Sequence, residues 1–288
     1  MHRNMDRNAT FKSIGLVGAG LIGGSLAAAL DRLLPETALR VYDISPGNAA
    51  YVAERHRRGD VVGALGALAR CDIVFVATPV AAIGGQVIEL LRLGGEAIVI
   101  DTGSAKAAIV AAVAESGVDA GRFVPGHPLA GGVSTGPGLA TPDNLTGRPF
   151  VLTPTDATAP DAVKRARGLL ETLGVSVIEM APDVHDRLLA LGSHLPHLIA
   201  FALAGMAEEG DFELLPASFR GVAAFAASDP QMWSDIFRAN SEELRAVADL
   251  FKKRLDLIAA MADEPAPGAL LESLRDARSR TNALGESL

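Results

Sequence analysis

One cysteine, Cys71, is all the chain has, which excludes a disulfide framework and a thiolate cluster for a metal. Positive charge is also short: the formal net charge is −8 and the longest basic run is His56-Arg57-Arg58. That is not the electrostatic footprint of a nucleic-acid binder, so any anionic ligand must be held by local groups. No stretch offers about 18 uninterrupted apolar residues, the length needed to span a bilayer. The polar start MHRNMD lacks the apolar segment of a signal peptide, so the expected location is the cytoplasm. No internal repeat appears, and compositional bias is confined to Ala/Pro-rich patches at Pro154–Pro160 and Pro265–Gly268.

What is present is apolar mass, 49% of 288 residues, enough for one large or two medium domains. From Ser13 to about Met180 short apolar runs (SIGLVG, LRVYD, DIVFVATP, EAIVID, GRFVPG, PFVLTP, SVIEM) alternate with helical segments. Strands that are apolar throughout, with helices between them, form a parallel sheet covered on both faces. After Ala181 the pattern turns helical: from Pro182 onward, Ser228 to Met261 broken by Pro230, and Gly268 to about Leu284. The expected architecture is therefore an α/β domain over residues 1–181, with a Rossmann-type, mostly parallel sheet, followed by an all-α domain over 182–288.

The run IGLVGAGLIGGSLAAAL carries a strand into Gly18-Ala19-Gly20-Leu21-Ile22-Gly23 and on into a helix. A G-x-G-x-x-G in that context is a dinucleotide fingerprint: Gly18 for the tight turn, Gly20 for approach of the pyrophosphate, Gly23 for helix packing. The N–H groups at the helix start, at Leu21 and Ile22, then face the phosphates. Asp43, twenty residues after Gly23 at the end of VYDIS, is placed to accept from both ribose hydroxyls and to repel a 2′-phosphate, which selects NAD over NADP. Thr78 and Pro79 in ATPV, and Ser104 in DTGSAK, stand at later strand ends, where open parallel sheets bind ligands. Ser104 reads equally as the N-cap of AKAAIVAAVAE, and Lys106 as a surface residue of that helix's first turn.

GHPLAGG, residues 126–132, sets His127 and Pro128 among glycines. Pro128 fixes the backbone while Gly126, Gly131 and Gly132 permit close approach by another molecule. His127 is the candidate base, on a loop at the same sheet edge as Gly18 and Ser104. Further on, His194 and His197 share a helix face, with Pro196 between them expected to kink the helix. H-L-P-H lacks the spacing and the glutamate of a zinc helix, so no metal is expected. His185 reads as a surface or interface residue.

GAGLIGGS, DTGSAK, GHPLAGG, HDRLLALGSHLPHLIAFAL and ASDPQMWSDIFRAN, in that order and spacing, resemble the prephenate and arogenate dehydrogenases, the TyrA-type family of tyrosine biosynthesis. The resemblance implies that His127 takes the proton of a ring hydroxyl as hydride passes to NAD, and that Ser104 orients that hydroxyl and the nicotinamide. It further implies that Gly131, His197 and Arg220 meet the substrate, and that the helical half forms a homodimer. Departures cluster in one place. Many relatives carry an arginine for the ring carboxylate where this chain has Ala224, and acidic residues where it has Gly221 and Val133. An arginine clamp is bidentate and is not replaced by an apolar side chain. Either Arg220 or Arg238 takes over, or the substrate is a different cyclohexadienol of a specialised pathway. Two rivals have less support. β-Hydroxyacid dehydrogenases use a catalytic lysine, and Lys252 and Lys253 sit in a charged helical stretch; a non-catalytic NAD sensor would have no use for Ser104, His127 and His197 together.

Overall fold

The computed structural model describes residues 11–130, 136–208, 210, 214–263 and 268–285. Strands β1 (Ser13–Val17), β2 (Ala38–Tyr42), β3 (Gly59–Val61), β4 (Ile73–Val76), β5 (Ile98–Asp101) and β6 (Phe123–Val124) form one sheet. Its order is β3-β2-β1-β4-β5-β6 and every pairing is parallel. Helices α1 (Leu21–Leu33), α2 (Pro46–Ala53), α3 (Val80–Arg92) and α4 (Ala107–Glu115) run between the strands. Side chains alternate between faces along a strand, and both faces are covered here. Ile73 and Phe75 of β4 join the core with Leu26 and Leu30 of α1, while Val74 and Val76 join the other with Ile83 and Val87 of α3. Chain order reverses between β1 and β4, the switch point at which such sheets bind ligands.

A second sheet, of order β7-β8-β9, follows from β7 (Gly126–Pro128), β8 (Pro149–Leu152) and β9 (Ser176–Glu179), with α5 (Pro160–Thr172) between the last two. β7 runs antiparallel to β8, opposing His127 to Val151, and β9 runs parallel. The seven apolar runs read from the sequence all contain strands, but in two sheets. Two further strands lacked a sequence signal: β3 is Gly-Asp-Val and largely exposed, and β7 is Gly-His-Pro. β7 lies at a sheet edge, where proline is tolerated. His127 is therefore a strand residue and not a loop residue.

The helical part comprises α6 (Pro182–Leu189), a π-helical turn Ala190–His194, α7 (Leu195–Ala204), α8 (Ala217–Ala223), a 3-10 turn Ala224–Ala227, α9 (Pro230–Ala239), α10 (Ser241–Ala262) and α11 (Gly268–Gly285). Asp229 caps α9, its carboxylate accepting from the Met232 N–H at 2.8 Å. The expected helix Ser228–Met261 is divided again at Asn240, whose ψ of 37° leaves the helical region. The stretch Pro182–Ala204, with a mean hydropathy of 1.3 over its most apolar window, is long and apolar enough by length and composition to cross a membrane. Its buried polar side chains, His185, Asp186 and His194, are bonded into the site described next. Contacts group the chain into two compact units, Met1–Ser241 and Glu242–Leu288. The whole site lies in the first; in the second, Arg254 donates to the Ser273 hydroxyl at 2.9 Å and ties α10 to α11.

Candidate active site

At the end of β1, Gly18 takes φ = +94°, and a Cβ there would lie 2.5 Å from the Ala77 carbonyl oxygen at the end of β4. Gly23 is excluded from carrying a side chain for another reason: its Cβ would stand 1.9 Å from the Gly18 carbonyl oxygen. Gly20, by contrast, faces open space. The first intrahelical bond of α1 runs from Gly24 N–H to Gly20 C=O, 2.9 Å, so the N–H groups of Leu21, Ile22 and Gly23 have no partner within the helix. A tight turn, an open approach and three amides at a helix start form a cradle that fits a dinucleotide pyrophosphate. Asp43 follows β2, its carboxylate oxygens accepting from Ala19 N–H at 2.6 Å and Ser45 N–H at 2.7 Å. It thus braces the glycine turn, with lone pairs left on each oxygen for a ribose. Thr78 donates to the Gln86 side-chain oxygen at 2.5 Å, and Pro79 precedes α3 as its N-cap.

A chain of bonds leads from this turn to the histidine. Thr102 N–H donates to Val76 C=O at 3.0 Å, joining the ends of β5 and β4. Asp101, the last residue of β5 and fully buried, accepts from Gly103 N–H at 2.9 Å and Gly126 N–H at 3.0 Å. Lys106, also fully buried, pairs with the Asp101 carboxylate and donates to Gly126 C=O at 2.7 Å. The ion pair therefore holds both backbone polar groups of the residue before His127. Lys106 is not the surface residue the sequence suggested: α4 begins after it, and its side chain turns inward to neutralise Asp101. Burial pushes its ammonium pKa down against the opposing pull of Asp101. Ser104 lies in the same β5–α4 connection, partly exposed. It is not the helix cap either, because the N-cap position is Lys106, and Asp186 accepts from the N–H groups of Lys106 and Ala107, both at 2.8 Å.

His127 is partly exposed on β7, and its Nδ1 lies 2.9 Å from Nε2 of His185. His185 is fully buried, with Nδ1 2.7 Å from the Asp186 carboxylate. The surface or interface position expected for His185 is thus wrong: α6 packs on α4 and carries this imidazole inward. Burial first, then His185 and Lys106, hold the His127 pKa well below the usual histidine value, so the ring is neutral at pH 7. Burial also raises the Asp186 carboxyl, but bonds from His185, Ala107 and Lys106 more than offset it and leave the group below its ordinary range.

Beyond Asp186, Asn240 donates to the Asp186 carbonyl at 2.8 Å and lies 3.2 Å from Nδ1 of His194. The break between α9 and α10 serves this contact. His194 is buried, with its pKa lowered to about 4 by burial, and its Nε2 has no hydrogen-bond partner among the described residues. His197 sits one turn on; its Nδ1 lies 2.9 Å from Ser193 C=O, and its ring stacks on Trp233 at 3.6 Å with Phe225 edge-on at 4.9 Å. Ala224 lines an apolar cleft with Ala204, Leu215, Phe219, Ala223 and Ala226, and Arg220 is the charged residue at its wall. Arg220 Nε donates to Leu215 C=O at 3.1 Å. Gly131 and Val133 lie outside the described residues. Among the described residues no group of His, Cys, Asp or Glu side chains has the arrangement of a metal site.

The structure thus joins Gly18, Gly20, Leu21, Ile22, Gly23, Asp43, Thr78, Pro79, Ser104 and His127 along one edge of the sheets, and places His197 and Arg220 on the helical side. The sequence reading missed Asp101, Lys106, His185 and Asp186. A signal was available in the His-Asp pair opening an apolar helix and in the Asp and Lys that begin and end DTGSAK.

A doubly wound sheet with a glycine turn at its switch point, and a partly exposed histidine held by a bonded network at the end of β5, define a Rossmann-type dehydrogenase. Two family profiles match: prephenate dehydrogenase, nucleotide-binding domain, over residues 26–179, and prephenate dehydrogenase, dimerization domain, over 181–276. The chain belongs to the prephenate dehydrogenase family. It is 31% identical to a cyclohexadienyl dehydrogenase of Zymomonas mobilis over 95% of this chain and 96% of that one. Among solved structures it is similar to prephenate dehydrogenase from Aquifex aeolicus, in complex with hydroxyphenyl propionate and NAD+, with a TM-score of 0.88, 28% identity and coverage of 96% and 99%. It is also similar to arogenate dehydrogenase from Synechocystis, with a TM-score of 0.79, 27% identity and coverage of 94% and 99%.

Proposed function

We propose that this chain is an NAD-dependent cyclohexadienyl dehydrogenase that oxidatively decarboxylates prephenate, arogenate or both, in tyrosine biosynthesis. The observation that carries the reading is a partly exposed His127 whose ring is held by His185 and whose preceding residue is held by the Asp101–Lys106 pair at the end of β5. Gly18–Gly23 would hold the pyrophosphate of NAD and Asp43 its ribose, and the cofactor when bound would supply the hydride acceptor. His127 takes the proton of the ring hydroxyl as the carbon bearing it is oxidised to a ketone, with Ser104 orienting that hydroxyl. The ketone is conjugated with the carbon that carries the ring carboxylate; the carbon–carboxylate bond breaks, CO₂ leaves and its electron pair completes an aromatic phenol. A general base contributes about 10²- to 10⁴-fold, and a neutral imidazole suits the task at pH 7. His197, Arg220 and Gly131 are read as substrate contacts.

The enzyme is read as a soluble, cytoplasmic homodimer. The family's dimerization profile and the exposed Leu188, Leu191, Val222 and Phe225 support a two-fold face on the helices. We read the domain border at residue 181, a reading supported by the two family profiles, which meet there.

A second reading has its own observation. Among the described residues the cleft at Ala224 is lined by apolar side chains and Arg220, which suits a cyclohexadienol without the usual ring carboxylate. NADH formation and CO₂ release, measured with prephenate and arogenate side by side, separate the two. Turnover of either supports the tyrosine-pathway reading with Arg220 as the carboxylate partner. No turnover of either, with NAD still bound, rejects it in favour of a changed substrate.

A further inference from the structure

We infer that His185 is a positioning residue that, together with the Asp186 carboxylate, fixes the tautomer of His127, so that Nε2 of His127 is the atom that accepts the substrate's proton. The inference rests on the reading of His127 as the base. It follows from counting donors along three groups in line. Asp186 accepts two backbone N–H groups, from Lys106 and Ala107 at 2.8 Å, one on each oxygen, and these bonds with the one to His185 hold its carboxyl below the ordinary range, so it is an ionised acceptor at neutral pH. The nitrogen 2.7 Å away, Nδ1 of His185, must therefore carry a proton and donate it. A ring whose one proton sits on Nδ1 holds its lone pair on Nε2. That lone pair faces Nδ1 of His127 at 2.9 Å, so Nδ1 of His127 carries that ring's one proton and Nε2 is left bare.

Two further features point the same way. His185 is fully buried, so no solvent competes for either of its nitrogens. The backbone of Gly126 is held by Asp101 and Lys106, so the ring of the next residue is fixed at its base by one pair and at its Nδ1 edge by another. The two pairs meet, because the Lys106 N–H is one of the donors to Asp186. When His127 takes a proton at Nε2 it becomes an imidazolium whose Nδ1–H already points at His185, and the charge is met through His185 by the Asp186 carboxylate. The charged and titratable groups facing His127 are His185, Lys106 and His194, with Asp101 and Asp186 one bond further out. A surface histidine would exchange between tautomers freely; this one has its second nitrogen assigned.

NMR of the protein with nitrogen-labelled histidine reads the tautomer directly, with the His127 signals identified by their loss in His127→Ala. The expected spectrum at neutral pH has a protonated Nδ1 and a bare Nε2. Kinetics supply the second arm. His185→Phe removes the acceptor but fills the space, and kcat is expected to fall about 10²-fold with KM and NAD affinity within about threefold. His185→Gln can set an amide oxygen where Nε2 stood and is expected to recover kcat to within about tenfold of the unaltered enzyme. A His127 ring protonated at Nε2 in the unaltered protein overturns the inference, as does a folded His185→Phe with unchanged kcat. If His185→Phe does not fold, the spectrum and the glutamine variant decide. The spectrum needs no substrate, so it stands apart from the reading of His127 as base, which fails separately if His127→Ala turns over normally.

Discussion

The nucleotide turn and the histidine cluster sit along one edge of the same fold, yet they are built by opposite means. The turn is local and made of backbone: Gly18 and Gly23 do their work by lacking Cβ atoms where Ala77 O and Gly18 O approach. The cluster is made of side chains drawn from β5, the β5–α4 connection, β7 and α6, with partners up to 80 residues apart. The backbone site depends on few side chains, chiefly the Asp43 carboxylate that accepts from Ala19 N–H. A side-chain site depends on every element that holds it, and its buried charges make each member costly to remove.

That contrast can be tested at both ends. The largest effect is expected inside the cluster's support: Lys106→Met leaves the Asp101 carboxylate buried without its cation and should cost about 3–5 kcal/mol, measured by urea unfolding. An unfolding midpoint equal to that of the unaltered chain would mean that the pair does not hold the strand ends together. Next comes pH. His127 and His194 have lowered pKa values when folded, His194 to about 4, and near 6.5 when unfolded. Between those values the unfolded chain binds more protons, so their contribution is whole above pH 6.5 and is lost as pH falls toward 4, about 3 kcal/mol from His194 alone. Stability that stays flat over this window would show that these rings are not held neutral.

At the turn, smaller and more selective changes are expected. Gly23→Ala places a methyl against the Gly18 carbonyl; the helix must shift, at about 1–3 kcal/mol, and NAD binding should weaken at least about tenfold. Gly20→Ala, facing open space, should leave unfolding unchanged and act on NAD binding alone. If the two variants behaved alike in an unfolding titration, the division of labour among the glycines would be wrong. Smallest is Asp43→Asn, expected to reduce the preference for NAD over NADP about tenfold with little loss of turnover at saturating NAD. An unchanged NAD to NADP affinity ratio would confine Asp43 to bracing Ala19 and Ser45.

The same contrast explains what could be read from the chain. The parallel sheet, its covering helices and the glycine turn were legible because they are encoded in short runs: apolar strands such as Ile73–Val76, and glycines at fixed offsets. β7 was not, since Gly-His-Pro has no apolar pattern and owes its pairing to Val151 on β8. Lys106 reads as a surface residue and His185 as a surface or interface residue because polar side chains near a helix start usually lie there. Only the fold shows that Asp101 and Asp186 wait for them inside. The division of α9 from α10 at Asn240 was hidden for a like reason: the asparagine leaves the helix to reach His194 and the Asp186 carbonyl. His127 stood out in the sequence by its glycine and proline neighbours, but the partner of its Nδ1 did not, because that is a histidine 58 residues away.

The central claim, that one site binds the nucleotide and a separate histidine does the chemistry, is tested most directly with His127→Ala. NAD affinity by calorimetry and kcat with prephenate or arogenate are measured on the same preparation. NAD affinity should stay within about twofold of the unaltered enzyme while kcat falls about 10²- to 10⁴-fold. Near-normal turnover with bound NAD would contradict the account.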